Sequence, residues 1–299
     1  MTVEQVVANA VMAGCLPEYA PVVVAAVEAM LQPPFNLVGP SASLGGSAIL
    51  VIVNGPVVDE LQINCRNNLF GPGNRANATI GRAVRLVLMN TCGAIPGLFD
   101  RSTLGHPGKY TYCIGEKAGD SPWLPLHAER GFAPSDNAVT VFACEGPRQV
   151  RNGLSHTPEG ILTTIADVMS SLGTSLTTSG SVGESASGTR QGEIAIVVAG
   201  EHMRTISRHG WTKADMRRYL AAHARRTVAD LKRGGGLPGD PEPGDEQQYV
   251  AVVERADDIL IVAAGGDEGA TSAVIPSWGP KVSSTAVTWP IAWPPQRQS

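Results

Sequence analysis

The sequence predicts a mixed α/β protein of two lobes, with buried strands joined by crossover helices. Three observations carry this expectation. Apolar runs of strand length at residues 47–54, 193–199 and 259–264 are apolar on both faces, as strands of a doubly covered sheet are. Stretches with apolar residues at helical spacing lie between them. A polar Ser/Gly tract then breaks the pattern, and 299 residues are enough for two cores. The expected division is an N-terminal α/β domain over residues 1–150, a helix and connection over 151–191, and a C-terminal α/β domain over 192–299.

Taken in order, residues 3–13 and 21–31 read as helices set between the breakers Gly14, Pro17 and Pro33. The β-branched Val22, Val23, Val24 and Val27 weaken the second. AILVIV then forms a strand closed by Asn54-Gly55-Pro56. A glycine-rich turn at residues 71–82 feeds a helix over 83–89, and Gly73, Asn74, Arg75 and Asn77 are its candidate anion ligands, because a helix start presents unpaired N–H groups. Its spacing matches neither the phosphate loop nor the dinucleotide turn. A helix at 158–172 leads into SLTTSGSVGESASGTRQ, the expected connection. Beyond it, the strand at 193–199 and the strand at 259–264 flank a helix opened by a Thr212/Asp215 capping box, which suggests a βαβ unit with His202 and the 265–272 loop at one edge.

Bulk properties exclude several classes. Twenty-three Lys and Arg against 27 Asp and Glu give a formal charge of −4, and no basic run tracks a phosphate backbone, so nucleic acid is not an expected partner. No apolar stretch reaches the ~20 residues of a membrane span. Glu4 stands where a signal peptide carries positive charge, so the expected location is cytoplasmic. Cys15, Cys65, Cys92, Cys113 and Cys144 include no CxxC pair, which suggests free thiols and no zinc knuckle.

The densest reactive cluster is TLGHPGKYTYCIGE, residues 103–116. An extended segment over 110–114 would set Lys109 on the Cys113 face, where an ammonium favours thiolate and His106 or Glu116 could move its proton. Cys15, beside a predicted helix start, is a second candidate nucleophile. The bland reading makes Cys113 a small core residue and leaves Lys109 and Glu116 solvated. Tyr110, with His127 and Glu129 read as alternating on a strand, could contact substrate, and His202 is a candidate base. His106, His127 and Glu129 could instead serve a metal-dependent hydratase or hydrolase, although no metal-ligand spacing is present and no cofactor motif is found.

The runs NAVMAGCLPEYAPVVVAAVEAM (9–30), GPGNRANATIGRAVRLV (71–87), TLGHPGKYTYCIGE (103–116), PLHAERGF (125–132) and GWTKADMRRYL (210–220) resemble a bacterial family. Its members accompany, or are fused to, a small domain with a UGSC or CGSC motif similar to the thiol and selenol subunits of glycine-reductase-like systems. This chain has no Cys-Gly-Ser-Cys. The resemblance therefore implies a separate subunit carrying that motif, a hetero-oligomer, and thiol-dependent chemistry on a small molecule.

Together these readings predict an enzyme subunit, of oxidoreductase or lyase type, that binds a small anionic substrate between its lobes. Arg75 would hold the anion and Cys113 or Cys15 would supply the thiolate. The alternative is a noncatalytic scaffold that presents substrate to a thiol or selenol partner.

Overall fold

The computed structural model describes residues 1–172 and 192–293, so the expected connection at 175–191 lies outside the described residues. The strands are β1 (Ala48–Asn54), β2 (Cys113–Gly115), β3 (Ala138–Cys144), β4 (Arg148–Arg151), β5 (Ile194–Val198), β6 (Arg225–Thr227), β7 (Tyr249–Ala251), β8 (Ile259–Ala263), β9 (Thr271–Pro276) and β10 (Val287–Pro290). The helices are α1 (Val3–Ala13), α2 (Ala20–Met30), α3 (Val38–Ala42), α4 (Val57–Glu60), α5 (Arg75–Asn90), α6 (Leu126–Glu129), α7 (Pro158–Met169), α8 (Gly200–Arg208), α9 (Lys213–His223) and α10 (Val228–Arg233). The mixed α/β class expected from the sequence is the class observed.

Two compact units divide the chain: Met1–Ala143 with Ala286–Ser299, and Cys144–Thr285. The expected break after residue 150 and a C-terminal domain reaching 299 differ from this at both ends. Strand pairing is the reason. β4 pairs with β9 of the second unit, whereas β10 pairs with β3 of the first. Composition marks linker-like tracts, but it carries no record of which distant strand a short segment will join.

In the first unit the sheet order is β10-β3-β1-β2. β1 and β2 run parallel with Val51 opposite Cys113 and Val53 opposite Gly115, so the chain must cross over between them, and α5 makes that crossover. Ile80, Ala83, Val84, Val87 and Leu88 are buried at i, i+3, i+4, i+7 and i+8, which gives α5 one apolar stripe, and the helix packs on α1 and α2 as well as on β1 and β2. Burying each Ile, Val or Leu of that stripe contributes on the order of 1.5–3 kcal/mol. Asn74 caps the helix by accepting from Asn77 N at 3.0 Å.

The two opening helices follow the same logic. α1 starts at a Thr2/Gln5 capping box and stops at Gly14, whose φ of 88° is the left-handed cap that glycine adopts without strain. α2 is helical despite its valines, because Val22, Val23, Ala25, Ala26 and Met30 are all buried and packing outweighs a few tenths of a kcal/mol of propensity per residue.

In the second unit the order is β4-β9-β5-β8. β5 and β8 are parallel, Ile194 opposite Ile259, with α8, α9 and α10 between them in sequence. This is the βαβ arrangement expected there. β9 runs antiparallel to both β5 and β4. The Thr212/Asp215 capping box is present at the start of α9.

Gly81 sits where α5 passes closest to the segment entering β2. A Cβ added there would stand 2.5 Å from Thr111 Oγ1 and closer still to the Tyr112 backbone nitrogen. Replacing glycine by alanine inside a helix ordinarily gains up to ~1 kcal/mol. Here the clash is with backbone, so Gly81→Ala is expected to destabilise the first unit by about 1–3 kcal/mol, read as a lower urea midpoint. An unchanged or raised midpoint would show that the segment yields freely.

Candidate active site at the carboxyl ends of the parallel strands

The carboxyl ends of β1 and β2 bring together Asn54, Glu116 and His127. Asn54 is the last residue of β1, Glu116 directly follows β2, and His127 lies in α6. All three are buried, Asn54 and His127 completely. Asn54 Nδ2 donates to Glu116 Oε2 at 2.6 Å, and Leu126 N donates to the same oxygen at 2.7 Å. Glu116 Oε2 thus accepts from a side-chain and a backbone donor, while Glu116 N is anchored on Val53 O at 3.0 Å.

Around this carboxylate hydrogen bonding is incomplete. Asn54 Oδ1 is buried without a partner, and the two ring nitrogens of His127 are buried with only the Ala133 and Pro134 backbone beside them, outside good hydrogen-bond geometry. Each such group ordinarily costs about 1–3 kcal/mol, and native cores leave few of them. Burial lowers the His127 pKa below the usual imidazole value, and the negative Glu116 and the neighbouring Pro134 and Ala133 carbonyls oppose that shift only in part. His127 is therefore neutral at neutral pH, with one ring nitrogen able to donate and the other to accept. Lys117, also buried, lies 3.3 Å from Asp120, which in turn pairs with Arg66 at 3.0 Å.

Sequence reasoning singled out Glu116 and His127 separately, and the fold brings them together. It gave Asn54 no role. The signal was present: a polar residue ends an otherwise apolar, fully buried strand, and in parallel sheets that end is where ligands are met. Glu129 does not alternate with His127 on a strand; both lie in the short helix α6, where Glu129 is exposed.

The remaining candidates fall elsewhere. His106 does not face Cys113: its Nδ1 accepts from Gly108 N at 3.1 Å and caps the 3-10 turn Pro107–Lys109. Of the extended segment expected at 110–114, strand structure is present only from Cys113, and the 3-10 turn ends at Lys109 just before it. Lys109 accordingly points to Asp100 Oδ2 at 2.6 Å and to Ser102 Oγ at 2.7 Å. Tyr110 is 73% exposed.

Neither thiol is electrostatically prepared as a nucleophile. Burial first, and the nearby Cys15 second, push the Cys113 pKa far above an ordinary thiol. Cys15 is also raised: burial outweighs its bond with Thr79 and the pull of Arg75. The expected thiolate at Cys113, assisted by Lys109, is therefore not the state the structure favours.

The glycine-rich turn is occupied by its own structure. Gly73 takes a φ of 114° at the turn. Arg75 Nε and Nη2 donate to Gly14 O at 3.1 and 3.0 Å, closing the end of α1. Asn74 Nδ2 donates to Gln62 O, and Asn77 binds Asn64 and Cys113 backbone. His202 lies in α8, fully enclosed, with Nδ1 2.7 Å from Ser272 Oγ and Nε2 3.0 Å from Asn152 O. It does meet the 265–272 loop, as a structural link with both nitrogens engaged. Among the described residues no three His, Cys, Asp or Glu side chains are placed to hold a metal, and His106, His127 and Glu129 do not converge. No single helix among them is long and apolar enough to cross a membrane.

No protein-family model matches the chain, and no curated protein matches it.

Both buried histidines have lowered pKa values, so each takes up a proton more readily in the unfolded chain than in the fold. Stability contributed by their neutral forms is complete above about pH 6.5 and is lost as pH falls from there through the folded values. Thermal unfolding followed from pH 8 to pH 5 should show a falling midpoint below pH 6.5, and His127→Gln should flatten that fall. A midpoint independent of pH over this range would contradict the burial argument.

Proposed function

We propose that the chain is an enzyme subunit that acts on a small polar molecule by proton transfer at the carboxyl ends of β1 and β2, with Glu116 and His127 as the acid–base pair. The observation that carries this reading is a fully buried imidazole beside one fixed carboxylate, with the Asn54 amide oxygen buried and unpartnered next to them. A core ordinarily pairs such an oxygen, and a substrate donor would complete it. In this reading neutral His127 takes a proton from the substrate and Glu116, fixed by Asn54 and Leu126, stabilises the imidazolium so formed. Asn54 Oδ1 receives a donor of the substrate and orients it.

The raised pKa values of Cys15 and Cys113 support a second reading, that of a substrate-binding subunit in a hetero-oligomer whose thiol or selenol chemistry comes from a partner carrying the CGSC or UGSC motif.

Proton NMR in D2O separates the two. A mixture of small hydroxy, keto and amino acids incubated with the purified chain should show deuterium replacing one carbon-bound proton of the substrate. His127→Gln and Glu116→Gln should each slow that exchange by about 100-fold or more, and the rate should fall as pH drops through the lowered His127 pKa. Wild-type exchange rates in both variants would remove the pair from the mechanism. Exchange that requires added partner protein would favour the second reading.

A further inference from the structure

A different group of residues gathers at the beginning of β1. A small cleft is lined by Ser41 of α3, by Ser47 just before β1, by Ile49 of β1, by Arg85 of α5 and by Lys109 of the 3-10 turn. Two features of its wall are unusual.

The first is charge. Arg85 Nη2 and Lys109 Nζ both approach one oxygen, Asp100 Oδ2, at 2.9 and 2.6 Å. The three side chains are 12%, 14% and 3% exposed. Two cations against one carboxylate leave an unbalanced positive charge in a poorly solvated wall, where a countercharge is felt far more strongly than in water. Burial alone would raise the Asp100 pKa; its bonds to Lys109 and Ser102 overcome that and bring it down to about 2, so its single negative charge is already present at any physiological pH. The carboxylate cannot supply a second.

The second is hydrogen bonding. Ser41 and Ser47 are 8% and 4% exposed, and the hydroxyl of each is buried without a partner. A hydroxyl usually finds a backbone carbonyl when it is buried. Two that do not, on the wall that carries the surplus charge, are donors without an acceptor.

We propose that this cleft binds a small oxyanion, the phosphate or carboxylate group of a metabolite, through Ser41, Ser47, Arg85 and Lys109. Asp100 holds the two cations side by side and leaves them one charge in excess; the anion supplies that charge and accepts from the two serine hydroxyls. This inference does not rest on the Glu116 and His127 pair, which stands at the other end of β1.

Isothermal titration with inorganic phosphate and, separately, with sodium acetate tests it, against sodium chloride at matched ionic strength. Saturable heat with either oxyanion, absent with chloride, is the expected result, and the preferred one tells phosphate from carboxylate recognition. The Ser41→Ala/Ser47→Ala double variant and Lys109→Met should each weaken binding about tenfold or more. Asp100→Asn should tighten it, and Glu116→Gln should leave it unchanged. Circular dichroism checks that each variant is folded; the serine pair, whose removal deletes only unpartnered hydroxyls, decides the matter if Lys109→Met does not fold. No saturable binding of either anion, or equal binding by the serine double variant, overturns the proposal.

Discussion

One buried carboxamide ties the first unit together. Asn77, in the first turn of α5, accepts from Asn64 N at 2.7 Å and donates to Asn64 O at 2.9 Å and to Cys113 O at 3.0 Å. Its three bonds join the crossover helix to the loop that precedes it and to the start of the strand that follows. Cys113 is the residue paired with Val51, so the same side chain fixes the register of β2 on β1. A slip of one residue would send every β2 side chain to the opposite face, and Glu116 would leave Asn54. The geometry at the carboxyl ends of both strands therefore depends on an amide that touches neither end.

β1 separates two styles of burying polarity. At its beginning, charge is compensated within the protein in part: one carboxylate serves two cations. At its end, a carboxylate accepts from the Asn54 amide and from Leu126 N, and the Asn54 amide oxygen is left open. Low dielectric makes both arrangements costly, and each leans on a neighbouring element, Arg85 of α5 at one end and Leu126 N of α6 at the other. Nothing in the thiols matches this investment, since Cys113 is simply enclosed.

The sequence made the strands of β1, β5 and β8 legible because each is a continuous apolar run closed by turn residues, and the α9 capping box because its spacing is local. β10 was not legible: VTWP has no strand pattern of its own and is extended because β3 offers it a partner. The same limit governs the site. Residues 103–116 contain the reactive groups the sequence advertised, but a 3-10 turn at Pro107 sends Lys109 one way and β2 sends Glu116 the other. Proximity along the chain overstated their cooperation. Asn77 and Arg75 looked like ligands for an anion because their polar groups stand at a helix start; the partners they satisfy, Asn64, Cys113 and Gly14, come from up to 61 residues away.

The return of the chain to β10 bears on how the protein is made. The second unit is contiguous from Cys144 to Thr285, whereas the first cannot finish its sheet until Val287–Pro290 has been synthesised. Translation from the amino end therefore lets the inserted unit close first, while β3 waits with an unfilled edge. An open edge on a strand as apolar as Ala138–Cys144 is the kind of surface on which nascent chains associate. β10, the last strand among the described residues, thus covers an apolar edge of β3 that stands open until it arrives.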